Sequence, residues 1–258
     1  MFKRLLMTSL FFCSAAMAQG HTYYIPQFAS GAGGGLSITT TVTIVNLGTE
    51  VLNPARAQVS TFGPDGNPMS MLKQVAISGT QAVSSVEREI QGRGTAVVES
   101  YSGDGALMSG WAEVTTDDNV AIEVAYRIYS GGQIGTITSI LPREALSSAT
   151  ILVNLDAQGQ VTSPVAALNP PESSGSAEVS LDVYDQFGNF VDTGTFTLAP
   201  GEQTARNWGE LVPSLAGVNG FRGSAEITST VPVLILPLSQ EAGFQLTTRD
   251  TLDARSSQ

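Results

Sequence analysis

Val120-Ala121-Ile122-Glu123-Val124-Ala125-Tyr126-Arg127-Ile128 alternates without a fault. Val120, Ile122, Val124, Tyr126 and Ile128 fall on one face and Ala121, Glu123, Ala125 and Arg127 on the other, the two-residue period of a half-buried strand. Val179, Leu181 and Val183 alternate with Ser180 and Asp182 in the same way, and Thr41-Val42-Thr43-Ile44-Val45 is rich in β-branched residues. Turn-forming runs separate these stretches: Pro64-Asp65-Gly66-Asn67, Asp117-Asp118-Asn119, Ser130-Gly131-Gly132 and Phe187-Gly188-Asn189. Short strands punctuated in this manner predict an all-β protein of antiparallel sandwiches.

Two local exceptions are expected. Ser84-x-x-Glu87 has the form of a capping box, with Val86 and Ile90 four apart, and Asn207-Trp208-Gly209-Glu210-Leu211 occupies the corresponding place later on. Both read as brief helical turns. Pro232 and Pro237 bracket Val233-Leu234-Ile235-Leu236 and confine that segment to a sheet edge or to a strand bounded by prolines.

The chain also matches itself. Val59-x-Thr61-Phe62 with Gly66-Asn67 corresponds to Leu181-x-Val183-Tyr184 with Gly188-Asn189. In order follow Gly79-Thr80-Gln81 with Gly201-Glu202-Gln203, Glu89-Ile90 with Glu210-Leu211, Gly110-x-Ala112-Glu113-Val114-Thr115 with Gly223-x-Ala225-Glu226-Ile227-Thr228, and Val120-x-Ile122 with Val231-x-Val233. A period above about 100 residues means two domains, not a solenoid of small repeats. The predicted division is a leader at 1–18, a first β-sandwich domain at 19–141, a linker at 142–148, a second domain at 149–252 and a polar tail at 253–258.

The leader reading rests on Lys3 and Arg4, the apolar stretch from Leu5 to Phe12 and the small-residue site Ala16-Met17-Ala18. It predicts a secreted, periplasmic or cell-surface protein. The single cysteine, Cys13, lies inside that leader, so disulfides and thiol chemistry are not expected after its removal. Acidic residues number 23 against 12 Lys and Arg, two of which belong to the leader. That surface repels nucleic acid and anionic headgroups. No apolar run approaches the roughly 20 residues of a membrane helix. An outer-membrane barrel is disfavoured by few aromatics and the polar end Asp253-Ala254-Arg255-Ser256-Ser257-Gln258.

Catalytic chemistry finds little to work with. The only histidine is His21, so neither a Ser-His-Asp triad nor a two-histidine copper site assembles, and no G-x-S-x-G elbow is present. Gly31-Ala32-Gly33-Gly34-Gly35 leads into a β-branched stretch without the Lys-Ser/Thr of a phosphate loop. Glu113 and Glu226 hold matching positions and, by alternation, point to solvent. Calcium, the one metal that suits the oxygen-rich runs Asp182, Asp185, Asn189 and Asp117, Asp118, Asn119, meets no recognised loop there, and Asx turns account for both. No cofactor is expected. Trp111 and Trp208, with Tyr101 and Tyr129, are the aromatics that a sugar ring would stack on, against core packing for the tryptophans.

Several segments together resemble a group of secreted bacterial β-sandwich (Ig-like) proteins that occur as tandem modules without an assigned biochemical activity. They are Ile25-Pro26-Gln27-Phe28-Ala29, Val45-Asn46, Tyr184-Asp185-x-x-Gly188, Phe221-Arg222-Gly223-Ser224, Ile227-Thr228-Ser229 and Val231-Pro232-Val233. In the first half Met108-Ser109-Gly110-Trp111 departs from the Phe-Arg-Gly-Ser pattern. The resemblance implies tandem sandwiches and supplies no catalytic residues. The expected function is an exported, non-enzymatic structural, adhesion or interaction module with an extracellular protein or glycan partner. The alternative is a carbohydrate-binding accessory protein.

Overall fold

The computed structural model describes residues 20–33, 36–49, 54–101, 106–117, 119–130, 133–140, 144–155, 164–241 and 245–248. The proposed leader and polar tail, Asp118 and Gly131-Gly132 lie outside them. The protein is all-β, its antiparallel sheets curled into half-barrels. Among the described residues no helix is long and apolar enough to cross a membrane.

The N-terminal half contributes β1 (His21–Gly33), β2 (Leu36–Asn46), β3 (Ala55–Phe62), β4 (Leu72–Ala76), β5 (Gly79–Val83), β6 (Ser85–Ile90), β7 (Thr95–Glu99), β8 (Met108–Thr116), β9 (Val120–Ser130) and β10 (Gln133–Ile140). The C-terminal half contributes β11 (Leu146–Asn154), β12 (Val165–Leu168), β13 (Ala177–Asp185), β14 (Phe190–Leu198), β15 (Gln203–Arg206), a helical turn α1 (Trp208–Leu211), a 3-10 turn at Pro213–Leu215, β16 (Arg222–Glu241) and β17 (Gln245–Thr248). The faultlessly alternating stretch from Val120 to Ile128 is β9, and its apolar face is buried as alternation requires.

Strand pairing in one half repeats in the other. β1 pairs with β8, β8 with β3 and β3 with β6, while β2 lies between β7 and β9, and β9 pairs with β10. In the C-terminal half β11 pairs with the first part of β16, that part with β13, and β13 with β14. β12 lies between β15 and the second part of β16, which pairs with β17. Each half adds one feature. The first inserts the β4–β5 hairpin and the second inserts α1 with the 3-10 turn.

Details of bonding repeat as well. Asn46 ends β2 buried, donating its side-chain amide to the Ile90 carbonyl at 2.9 Å; Asn169, just past β12 and also buried, donates to the Leu198 carbonyl at 3.0 Å. The backbone N–H of each asparagine donates to the matching turn, Asn46 to Gly94 and Asn169 to Glu202, both at 3.0 Å. The carbonyl of each accepts from the residue with positive φ in that turn, Arg93 (φ 62) or Gly201 (φ 80). A side chain at Gly110 would collide with the Phe62 carbonyl, and one at Gly223 with the Tyr184 carbonyl. Only glycine allows either close approach of the neighbouring backbone.

This geometry keeps some of the sequence matches and replaces others. Val59 with Leu181 and Gly110 with Gly223 occupy the same register positions. Glu89-Ile90 and Glu210-Leu211 do not, since the first lies in β6 and the second in α1; the counterpart of Ile90 is Leu198. Gly79-Thr80-Gln81 sits in the added hairpin, whereas Gly201-Glu202-Gln203 opens β15. Ala121 faces Val45, next to Asn46, as Leu234 faces Leu168, next to Asn169, so Val120 corresponds to Val233 and not to Val231.

Two other expectations change. Ser84-x-x-Glu87 is not helical: Ser85–Ile90 is a strand paired with β3. Val86 and Ile90, four apart, share a face in either conformation, and the open edge of β3 decides between them. The prolines do not bound a short strand either, because β16 runs through both. Pro232 falls between its last pair with β13, Val179–Ser229, and its first with β12, Leu168–Leu234, where the strand passes from one sheet to the other. The turn at Asn207 forms as expected, with Glu210 accepting from the Asn207 N–H at 2.8 Å. β11 opens at Leu146, within the stretch read as a linker.

Each half has its own apolar core, one around Ile25, Val42, Val59, Val114 and Val124 and the other around Ile151, Leu181, Trp208, Ile227 and Ile235. A third cluster joins them.

Candidate functional site

The joining cluster forms because β12 and the second part of β16 are apolar on both faces. Val165, Ala167, Val233 and Ile235 point into the C-terminal core, while Leu168 and Leu234 pack on Trp111 of β8. Ala166, Leu236 and Leu238 extend the contact as far as the N-terminal core. Trp111 stacks on Phe62 with ring centroids 4.2 Å apart and planes 15° from parallel, and Tyr24 leans on it at 6.2 Å. Trp111 is 1% exposed, as is Trp208 in the C-terminal core. Neither indole presents a face on which a sugar could stack. Tyr101 and Tyr129 are half-buried.

Polar bonds fix the register of the joint. Gln203, buried at the start of β15, donates its side-chain amide to Gln27 Oε1 at 2.9 Å and to the Pro26 carbonyl at 3.2 Å. Its backbone N–H donates to the Pro64 carbonyl at 2.8 Å. Gly66 lies so close to Gly201 that a Cβ there would stand 2.9 Å from the Gly201 carbonyl oxygen. Tyr24 donates its hydroxyl to Glu172 Oε2 at 2.5 Å. Burial, the Glu172 bond and the nearby negative charge hold the Tyr24 hydroxyl well above the usual phenol range. Glu113, beside Tyr24 in the register, is half-buried; desolvation first, then the Glu172 charge, raises its pKa. The expected solvent-facing carboxylate is thus drawn into the joint, where the charge of Glu172 from the other half acts on it. Glu226 is exposed.

The face of the N-terminal sheet that receives this contact has a counterpart in the C-terminal half, and that counterpart carries exposed apolar side chains. Register places Tyr184 where Phe62 stands, Ser224 where Trp111 stands, Thr150 where Tyr24 stands and Glu226 where Glu113 stands. Across β14, β13, β16 and β11 the outer face runs in rows. The first is Phe190, Tyr184, Ser224 and Leu152; the second Thr193, Asp182, Glu226 and Thr150; the third Thr195, Ser180, Thr228 and Ser148. Phe190 is 60% exposed, Leu152 55%, and Phe187 in the adjoining turn 79%. Tyr184 meets Phe190 edge-on at 6.0 Å. Toward the other end Glu178, Ser180, Thr195, Thr197, Thr228 and Thr230 line a trough of about 750 Å³.

The turn that carries Phe187 is rigid for a reason visible in its bonds. Asp185 Oδ1 accepts from the N–H groups of Phe187 and Asn189 at 2.8 and 2.9 Å, and its Oδ2 accepts from the Asn189 amide at 2.9 Å. Those bonds, led by Asn189, hold the Asp185 carboxyl below its usual range. Asp182 accepts instead from the Thr193 hydroxyl at 2.6 Å. Asp185 thus forms the expected Asx turn, and Asp182 is bonded apart from it. Among the described residues no three His, Cys, Asp or Glu side chains gather as metal ligands would.

Neither Gln203 nor the Phe187–Phe190 pair stands out in the sequence as a site residue, although Gln203 and Phe187 fall in the repeat and turn motifs. The signal for the aromatics was present: a phenylalanine at a turn glycine has no core to enter. Gln203 gave none, since its burial depends on the other half of the chain. Scans against protein families and searches of curated proteins return no match for this chain.

Proposed function

We propose that this is an exported, non-enzymatic interaction protein of two tandem Ig-like β-sandwich domains, which binds a protein partner at the cell surface or in the periplasm through the outer face of its second domain. The observation that carries the reading is the pair of exposed phenylalanines, Phe187 and Phe190, at one end of that face, with Phe190 against the half-buried Tyr184. Large exposed apolar groups in contact with one another mark interaction surfaces, whereas scattered ones do not. The matching surface of the first domain is the one buried in the joint, which supports a docking role for this face. A photocrosslinking residue in place of Phe187, in the protein on its own cells, is expected to capture a discrete adduct. No adduct under any growth condition, with export normal, would count against the reading.

A second reading, binding of a neutral glycan, is favoured by the hydroxyl-rich trough on the same face as those aromatics. Aromatic rings stack on sugars and carboxylates accept from their hydroxyls, while the acidic surface disfavours polyanions. Titration with soluble neutral oligosaccharides, read by perturbation of Tyr184 and Thr228 resonances, tests it. Unperturbed resonances at millimolar sugar would remove it.

A further inference from the structure

We propose that the partner of the open face is a second copy of this chain, docked head to tail in the geometry that already joins the two halves. The inference rests on the interaction reading above and names its occupant. The internal joint is heterologous: β1, β8 and the Phe62 end of β3 receive the outer face of β12, β15 and β16, and β10 meets β17 beside them. Each kind of surface recurs once more with exposed apolar side chains on it, Phe190 and Leu152 on one and Val97 on the other. The receiving kind is the Tyr184–Ser224–Leu152 face of the C-terminal half. The docking kind is the outer face of β2, β7 and β9 in the N-terminal half. A heterologous contact that is used once and left open at both ends propagates as a chain of molecules.

The second docking face keeps part of the required chemistry. Val45 stands where Leu168 stands in the joint and Val97 where Ala205 stands. Val97 is 49% exposed, and Leu47, just beyond β2, is 53% exposed. Arg93, the positive-φ counterpart of Gly201, adds charge complementarity. In the joint Gly201 lies against Gly66, whose counterpart is Gly188 of the Asp185–Asn189 turn. The same docking brings the Arg93 guanidinium to that turn, beside Asp185, and sets the Thr95 N–H opposite the Gln186 carbonyl, as Gln203 meets Pro64. Ser224 in place of Trp111, and Ala121 and Glu123 in place of Leu234 and Leu236, leave the intermolecular contact weaker than the internal one.

Sedimentation equilibrium of the intact chain from about 1 μM to 1 mM tests the proposal. The weight-average mass is expected to rise with concentration past that of a dimer, because the contact does not close. Phe187→Asp disables the receiving face and Val97→Asp the docking face; both sites are exposed, so folding should be preserved, as circular dichroism will verify. Each variant alone should remain monomeric, and an equimolar mixture should stop at the dimer, one sound face of each meeting the other. A wild-type chain monomeric throughout, variants that associate like wild type, or a mixture that stays monomeric overturns the proposal. Should the purified chain be monomeric while the Phe187 crosslinker captures a different protein on cells, the second copy is excluded and the interaction reading stands. A monomer that responds only to neutral oligosaccharide overturns both.

Discussion

The two outer sheet faces share a backbone and differ in what their side chains have become. In the N-terminal half Phe62, Trp111 and Tyr24 form an apolar platform that is covered, and in the C-terminal half Tyr184, Ser224 and Thr150 form a hydroxylated one that is not. The pairings, the close-approach glycines and the buried asparagines are alike in both. Fold is therefore carried by the inward residues and by backbone constraints, while partner choice is carried by a few outward positions.

The comparison breaks most visibly at Trp111. Trp111→Ala removes the largest buried side chain of the joint and is expected to cost about 3–5 kcal/mol by urea denaturation. Ser224→Ala, at the same register position, should stay within about 0.5 kcal/mol. The tryptophan change should also separate unfolding into two transitions, since it loosens the contact between halves and not the core of either. Comparable costs at the two positions would mean that the open face is energetically occupied and that the two faces do not differ in this way.

A smaller effect sharpens the likeness instead of the contrast. Asn46→Ala and Asn169→Ala each remove a buried amide and leave the Ile90 or Leu198 carbonyl without that donor. The expected loss is about 1–3 kcal/mol in each half. Chemical denaturation followed by amide exchange in β7 and β15 checks both the magnitude and the location. If one variant costs several times more than the other, the matching bonds do not do matching work.

Much of this fold was legible because alternation is a local property. β9, β13 and the turns around Gly66 and Gly188 follow from neighbouring residues alone. The misreadings share one cause, which is that their outcome depends on distant chain. Val86 and Ile90 suit a helix or a strand equally, and only the edge of β3 selects the strand. Pro232 forbids an ordinary ladder position, yet a strand passing between sheets has a gap there that tolerates it. Collinear short matches such as Glu89-Ile90 with Glu210-Leu211 satisfied order without satisfying register. The site was less legible still. Trp111 was recognisable as an aromatic anchor, but whether it met a ligand or Leu168 and Leu234 depended on how the halves dock. The same holds for Glu113, whose outward direction was read correctly and whose cover was not foreseeable.

Glu113 provides the smallest and most specific test of that cover. Its folded pKa lies above the ordinary carboxylate value of 4.5 through desolvation and the Glu172 charge. Between that ordinary value and the raised one, the folded chain binds more protons than the unfolded chain, so stability falls as pH rises. Below about 4.5 the penalty is absent, and above the raised value it is complete. Glu113→Gln should accordingly match wild type in acid and exceed it at neutral pH. Because the group is only half-buried, screening limits the gain to about 0.5 kcal/mol or less. Glu172→Gln keeps an acceptor for Tyr24 but removes the repelling charge, and in that background the advantage of adding Glu113→Gln should narrow. Denaturation midpoints from pH 4 to 8 measure both. A gap that widens toward acid would place Glu113 beside a cation, and one that stays flat would place it in open solvent; either way the joint would have to be drawn differently.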